Sequence, residues 1–156
     1  MTGDRGDDVV VALIESKTNP EHFLVQYRDF NPIDNPDKNY HGMLEFPGGK
    51  IDHSIDGTHD LCDVIALCRE VKEEVGITVN KINKFLCSID YKFPNGVWHN
   101  VHFFVVTDYD GEPEGKEGQR IGWVTLYQLI TYPKCLPLNR AAALILTTER
   151  HPDILE

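Results

Sequence analysis

Three glutamates, Glu70, Glu73 and Glu74, lie within the segment Arg69-Glu70-Val71-Lys72-Glu73-Glu74-Val75-Gly76. On a helix each residue advances by about 100°, so Glu73 and Glu74 project about 300° and about 40° round from Glu70, and all three share one face. Like charges so placed repel one another and weaken the helix. A hard divalent cation removes that cost. Mg²⁺ takes oxygen ligands, binds a few carboxylates and keeps other positions for water and phosphate; Mn²⁺ accepts the same donors. A solvated acidic face, with Arg69 and Lys72 as ordinary surface ions, uses the same residues. The surrounding sequence separates the two readings.

The glutamates need a helix and a neighbouring loop. Val64, Leu67/Cys68, Val71 and Val75 recur with helical spacing and predict a helix from about Asp60 to Val75. Thr58 or Asp60 can cap its start and Gly76 can end it. Ala66, one turn before Glu70, leaves room for a loop to approach. Pro47-Gly48-Gly49 is the candidate, because glycines permit close backbone approach and a glycine carbonyl is a further oxygen ligand. Arg69 can orient a glutamate by a charge-assisted hydrogen bond.

The remaining chain supplies strands. Residues 8–15 and 22–27 read as two strands joined by the turn-rich KTNPE. Residues 29–41 and 50–60 read as loops. Residues 77–93 and 97–108 are β-rich and meet at Asn95-Gly96, a hairpin signal. Residues 121–126 read as another strand, and Pro137 precedes a last helix at about 139–150. This order predicts an α+β fold, an α/β/α sandwich around a mixed sheet, with residues 1–156 as a single domain.

Composition narrows the partners. The formal charge of −10 argues against duplex nucleic acid or an anionic membrane as a partner, yet it suits a polyphosphate that arrives with divalent cations. No apolar run approaches the ~18 residues of a membrane span. MTGDRGDD is too polar for a signal or transit peptide, so a cytoplasmic protein is the expectation. Cys62, Cys68, Cys87 and Cys135 form no CxxC pair and read as free thiols of a reducing compartment.

The context of the glutamates resembles the Nudix hydrolase family. Arg69 through Ile77 is similar at every defined position to the second half of the family's box, R-E-U-x-E-E-x-G-U with U aliphatic, and Gly49 within LEFPGGK resembles its opening glycine. Gly49 to Arg69 spans 20 positions, six more than in the family pattern, and Leu61 stands where the pattern places its first glutamate. Asp52, Asp56, Asp60 and Asp63 are the available substitutes. Further segments, YKFP (91–94), GEPEGKEGQ (111–119) and LPLNRAA (136–142), resemble the members that hydrolyse the oxidised purine nucleotide 8-oxo-dGTP and so cleanse the nucleotide pool.

This resemblance implies a Nudix fold and assigns roles. Glu70, Glu73, Glu74, Glu117 and the Gly48 carbonyl resemble metal ligands. Arg28, Glu45, Phe46, Pro47 and Asn139 resemble the substrate-binding positions. An amide such as that of Asn139 both donates and accepts, so it can pair with a purine edge; Asn139 could equally cap the last helix. The implied reaction is attack of water on a diphosphate link, yielding monophosphate and pyrophosphate, with Arg69 and Lys50 assisting and either Glu70 or Glu73 taking the proton. The competing expectations are another nucleoside diphosphate derivative (a CTP-type substrate, a dinucleotide or ADP-ribose) and a silent Nudix-fold binding module. The partner is the nucleotide substrate, and the chain is a monomer or a homodimer.

Overall fold

Residues 8–15 are apolar at nearly every position, which suits a strand covered on both faces rather than one. A computed structural model, which describes residues 4–28, 43–51, 62–93 and 95–155, contains that strand as β1 (Val9–Ile14). β1 pairs in parallel with β7 (Trp98–Val106) and antiparallel with β4 (Gly48–Lys50), while β7 pairs antiparallel with β6 (Lys84–Lys92). The resulting sheet is mixed, in the order β4-β1-β7-β6. A second sheet holds β3 (Met43–Glu45), β2 (His22–Arg28) and β9 (Arg120–Thr125) in that order, all antiparallel. A third pairs β5 (Thr78–Lys81) with β8 (Asp108–Asp110).

Alternation along β1 divides the core. Val10, Ala12 and Ile14 face α1 (Asp63–Val75) and pack in one cluster with Ala66, Leu67, Val71 and Val75. Val11 and Leu13 point the other way, into a cluster with Leu129 of α2 (Leu126–Thr131) and Leu138, Ala142, Ala143 and Leu146 of α3 (Pro137–Arg150). Helices therefore cover both faces, as the α/β/α expectation requires. Leu67, Val71 and Val75 are fully buried, each contributing about 1.5–3 kcal/mol; these three of the predicted apolar stripe dock the helix, whereas Val64, in its first turn, is exposed.

Several boundaries differ from the sequence reading. Helix α1 begins at Asp63, with Cys62 as an extended N-cap that offers no side-chain bond; Thr58 and Asp60 lie outside the described residues, as do the loops over 29–41 and 52–60. Gly76 ends the helix as expected, in a left-handed conformation (φ 77°) with its N–H on the Lys72 carbonyl. The 77–93 stretch is two strands, broken near Asn83, whose side-chain oxygen accepts from the Thr107 N–H at 2.6 Å. Likewise 97–108 divides into β7 and β8. The strand assigned to 121–126 stops at Thr125, which forms a capping box with Gln128 and starts α2. The last helix starts two residues early because Pro137 occupies its first turn, where a missing N–H costs nothing. Asn139 thus lies inside α3, and Leu136 is the N-cap. All four cysteines are free.

Candidate functional site

Helix α1 packs against β4, so the glycines of β4 meet the glutamates. A Cβ added to Gly49 would lie 2.3 Å from Cδ of Glu70, and one added to Gly48 would lie 2.2 Å from the Val10 carbonyl. Only residues without side chains allow this approach. The Gly48 N–H donates to Oε2 of Glu74 at 3.1 Å.

The three glutamates share a helix face but not an environment. Glu73 is more than half exposed, Glu70 has 16% of its side chain accessible, and Glu74 is buried. One Arg69 nitrogen, Nη1, donates to Glu70 at 3.1 Å and to Glu73 at 3.2 Å, and Nη2 donates to the Lys50 carbonyl at 3.2 Å. The repulsion is thus offset for two carboxylates by one guanidinium. Glu74 has neutral partners instead, the Gly48 N–H and Nε2 of Gln26 at 3.1 Å. Burial, with Glu70 and Glu45 nearby, pushes its carboxyl up to about 8 against the lowering effect of those two donors. Burial likewise raises the Glu70 carboxyl, opposed by Arg69 and reinforced by Glu73 and Glu117.

These donors fit a divalent cation. A buried carboxyl with only neutral partners, beside a second one that burial also disfavours as an anion, gains most from a positive ion. Among the described residues no three His, Cys, Asp or Glu side chains converge as a finished cage. Arg69, Gly48 and Gln26 occupy the carboxylates in their place.

The loop 111–119 closes this end of α1. Its N–H groups on Glu114 and Lys116 donate to the Val75 and Glu74 carbonyls, both at 2.9 Å, satisfying acceptors left open where the helix stops. This brings Glu117 near enough to Glu70 to raise its carboxyl, although the Glu117 side chain is exposed.

A cleft of about 420 Å³ adjoins the glutamates. Gln26, Glu45, Gly48, Gly49, Lys50 and Glu74 supply its polar lining. Val9, Val11, Phe46, Val101, Leu136 and Leu138 supply apolar walls. The β6–β7 hairpin adds Phe93, Asn95 and His99, and α3 adds Asn139. Asn139 is 4% exposed, and its amide has no hydrogen-bond partner among the described residues. It lies beside the cavity in the first turn of α3.

The structure thus gathers Gly48, Lys50, Glu70, Glu74, Glu45, Phe46 and Asn139 around one region. Pro47, between Phe46 and Gly48, is buried, and its carbonyl accepts from the Ala12 N–H at 2.9 Å. Glu73 points outward. Arg28 ends β2 opposite Met43, and its side chain lies outside the described residues. Sequence reasoning gave no site role to Gln26, Gln119, Phe93, Asn95 or His99, although Phe93 lies in the YKFP run, Asn95 in the hairpin signal and Gln119 at the end of the GKEGQ run; Gln26 and His99 carried no signal.

A two-faced mixed sheet, a carboxylate helix docked on a glycine turn and a half-polar cleft beside them define a domain of the Nudix type. The NUDIX domain family matches residues 4–147, and the chain belongs to that family. The 8-oxo-dGTP diphosphatase of Escherichia coli is 39% identical over 89 residues, which cover 55% of this chain and 60% of that protein. The chain therefore spans less than two thirds of this curated relative's length. Among solved structures, the E. coli ORF135 protein superimposes with a TM-score of 0.76 at 23% identity, covering 96% of this chain and 94% of that one. A MutT NUDIX hydrolase from Burkholderia pseudomallei gives a TM-score of 0.69 at 24% identity, over 90% of this chain and 98% of that one. These two likenesses establish the fold.

Proposed function

We propose that the chain is one Nudix domain that hydrolyses a nucleoside triphosphate to the monophosphate and pyrophosphate with Mg²⁺, Mn²⁺ substituting, and that 8-oxo-dGTP is its preferred substrate. The observation that carries this reading is the continuity of one cleft, from Glu74 and the Gly48-Gly49 turn to Asn139. The E. coli relative's name supplies the substrate. Such a role belongs in the cytoplasm, with the nucleotide pool; among the described residues no helix is long and apolar enough to cross a membrane.

Glu70, Glu73, Glu74, Glu117 and the Gly48 carbonyl would hold the metal. When bound, a divalent cation neutralises phosphate charge and lowers the pKa of the attacking water. Arg69 keeps Glu70 and Glu73 in register with each other. Of the two candidate bases, Glu70 takes the proton from the attacking water at a carboxylate oxygen: it is less accessible than Glu73 and lies against Gly49 at the cleft. Lys50, exposed at the cleft, and Arg28 bind phosphate. Glu45, Phe46 and Pro47 flank the nucleoside, and the amide of Asn139 pairs with the purine edge. Pyrophosphate release from 8-oxo-dGTP, dGTP, CTP, a dinucleotide and ADP-ribose, with and without Mg²⁺, tests the reading. Metal-dependent release fastest from 8-oxo-dGTP at low concentration is expected. Unchanged turnover of Glu70→Gln and Glu73→Gln would remove the carboxylate assignment.

A second reading keeps the chemistry and changes the base. It is favoured by the hairpin, which puts Phe93, Asn95 and His99 into the cleft. The Nδ1 of His99 lies 2.7 Å from the Asp7 carbonyl, which orients the ring. The same substrate panel decides between them.

A further inference from the structure

Two glutamines connect the loop carrying Glu117 to the carboxylates, and neither belongs to the ligand set proposed above. Gln119 uses every hydrogen-bonding atom of its amide. Its Oε1 accepts from the Glu117 N–H at 2.9 Å, while Nε2 donates to the Glu74 carbonyl at 2.9 Å and to Oε1 of Gln26 at 3.0 Å. Gln26 then passes its own two hydrogens on, to Oε2 of Glu74 at 3.1 Å and Oε1 of Glu45 at 3.3 Å.

The direction of this chain is fixed by chemistry. The backbone carbonyl of Glu74 accepts only, so Gln119 must turn its nitrogen toward it and toward Gln26, which then turns its oxygen to Gln119 and its nitrogen to Glu74 and Glu45. Reversing either amide would set oxygen against oxygen at two contacts. Gln26 is 8% exposed, so water cannot readily replace the lost donors.

We propose that Gln119, acting through Gln26, is a positioning residue that couples the Glu117 loop to Glu74, so that cation affinity depends on an amide that touches no cation. This rests on the metal reading proposed above. Gln119 sets where the Glu117 backbone sits relative to the end of α1, and Gln26 sets which oxygen of Glu74 remains open. The pair acts as one unit: without Gln119, the Gln26 oxygen loses the donor that holds it away from Glu74, and its nitrogen is held on Glu74 less firmly.

The test is Mn²⁺ binding, followed by the electron paramagnetic resonance of the free ion, on the full chain without nucleotide. The set is the parent, Gln119→Leu, Gln26→Leu, the double variant and Glu74→Gln, each also melted in EDTA. Loss of an outer partner of this kind typically weakens metal binding about tenfold or more, which is the expected loss in each single variant. Because the two residues form one relay, the double variant should bind within about twofold of the weaker single variant, whereas independent sites would multiply their losses. Should Gln119→Leu fail to fold, Gln119→Glu keeps the size and the acceptor for the Glu117 N–H but places an oxygen against Gln26 and the Glu74 carbonyl, and the same loss is expected. Multiplicative losses, or Mn²⁺ affinity in Gln119→Leu within about twofold of the parent while Glu74→Gln loses it, would overturn the relay. Undiminished binding in Glu74→Gln would instead overturn the metal reading, and the relay with it.

Discussion

Gly49→Ala isolates the contact between the glycine turn and the carboxylate helix. The backbone of Gly49 is not in the left-handed region, so alanine meets no main-chain penalty there. Its methyl group would lie 2.3 Å from Cδ, 2.4 Å from Oε2 and 2.6 Å from Oε1 of Glu70. Ordinary carbon contacts begin near ~3.5 Å, so the carboxylate must retreat by roughly 1 Å. A misplacement of about 1 Å in a catalytic group can cost about 10²-fold in rate, or about 2.7 kcal/mol of transition-state stabilisation. The Glu70 side chain can move without disturbing the core, so stability should fall by less than about 1 kcal/mol. Gly48→Ala is the matched control: its methyl group meets the Val10 carbonyl at 2.2 Å, a main-chain atom of β1 that cannot swing away. That variant should lose about 1–3 kcal/mol of stability. The assays are pyrophosphate release under saturating Mg²⁺ and urea unfolding without metal. A Gly49→Ala enzyme with kcat within about threefold of the parent would refute the placement of Glu70 in the chemistry.

Other outcomes follow from the same geometry. Asn139→Ala should leave stability within about 1 kcal/mol, because its amide has no partner among the described residues; the ratio of kcat/KM for 8-oxo-dGTP over dGTP should fall about tenfold, the worth of one good base-edge contact. Glu74→Gln should abolish turnover yet alter the pH dependence of apo stability. The folded carboxyl titrates at about 8 and the unfolded one near 4.5, so the parent binds more protons when folded and loses stability as pH rises between those values; urea titrations in EDTA should show that slope flattened in the variant. Arg150→Met breaks the two-pronged pair with Glu15, at 2.8 and 2.9 Å, and should cost about 1–2 kcal/mol at pH 7, between the worth of exposed and buried pairs. Arg150 holds the Glu15 carboxyl below its ordinary 4.5, so this contribution is complete above that value and vanishes as pH falls through the lowered one; equal loss at pH 7 and in strong acid, read from urea midpoints, would contradict it.

The sequence disclosed those features whose cause is local. Val64, Leu67, Val71 and Val75 repeat with the helical period, so α1 was readable, and the glutamates came with it. Gly76 and Asn95-Gly96 were readable because few residues tolerate the backbone they adopt; Gly96 has φ 85°. The capping box Thr125–Gln128 is also local and was available, but the apolar run before it masked the change from strand to helix. What was not readable depends on distant pairings. That Glu74 is buried while Glu73 is exposed follows from β2 and β4 packing on α1, not from the helical angle. The Gln26–Gln119 contact joins residues from β2 and from the loop before β9, and a glutamine in a strand carries no local mark of such a role. His99 and Phe93 enter the cleft only because the hairpin folds over it.

The parallel pairing of β1 with β7, which aligns Val9 with Val101 and Ile14 with Val106, has a consequence for how the chain is made. The strand VVVALI emerges from the ribosome about 90 residues before its central partner, since Val9 pairs with Val101. Until then the segment VVVALI presents an unpaired, uncharged edge of high β-propensity, the kind of stretch that seeks strands from other molecules. Contacts between residues this far apart in sequence also close late and slow the folding reaction. Aggregation during expression should therefore compete with that single pairing, and slower synthesis or lower temperature should matter more for soluble yield than any change at the cleft.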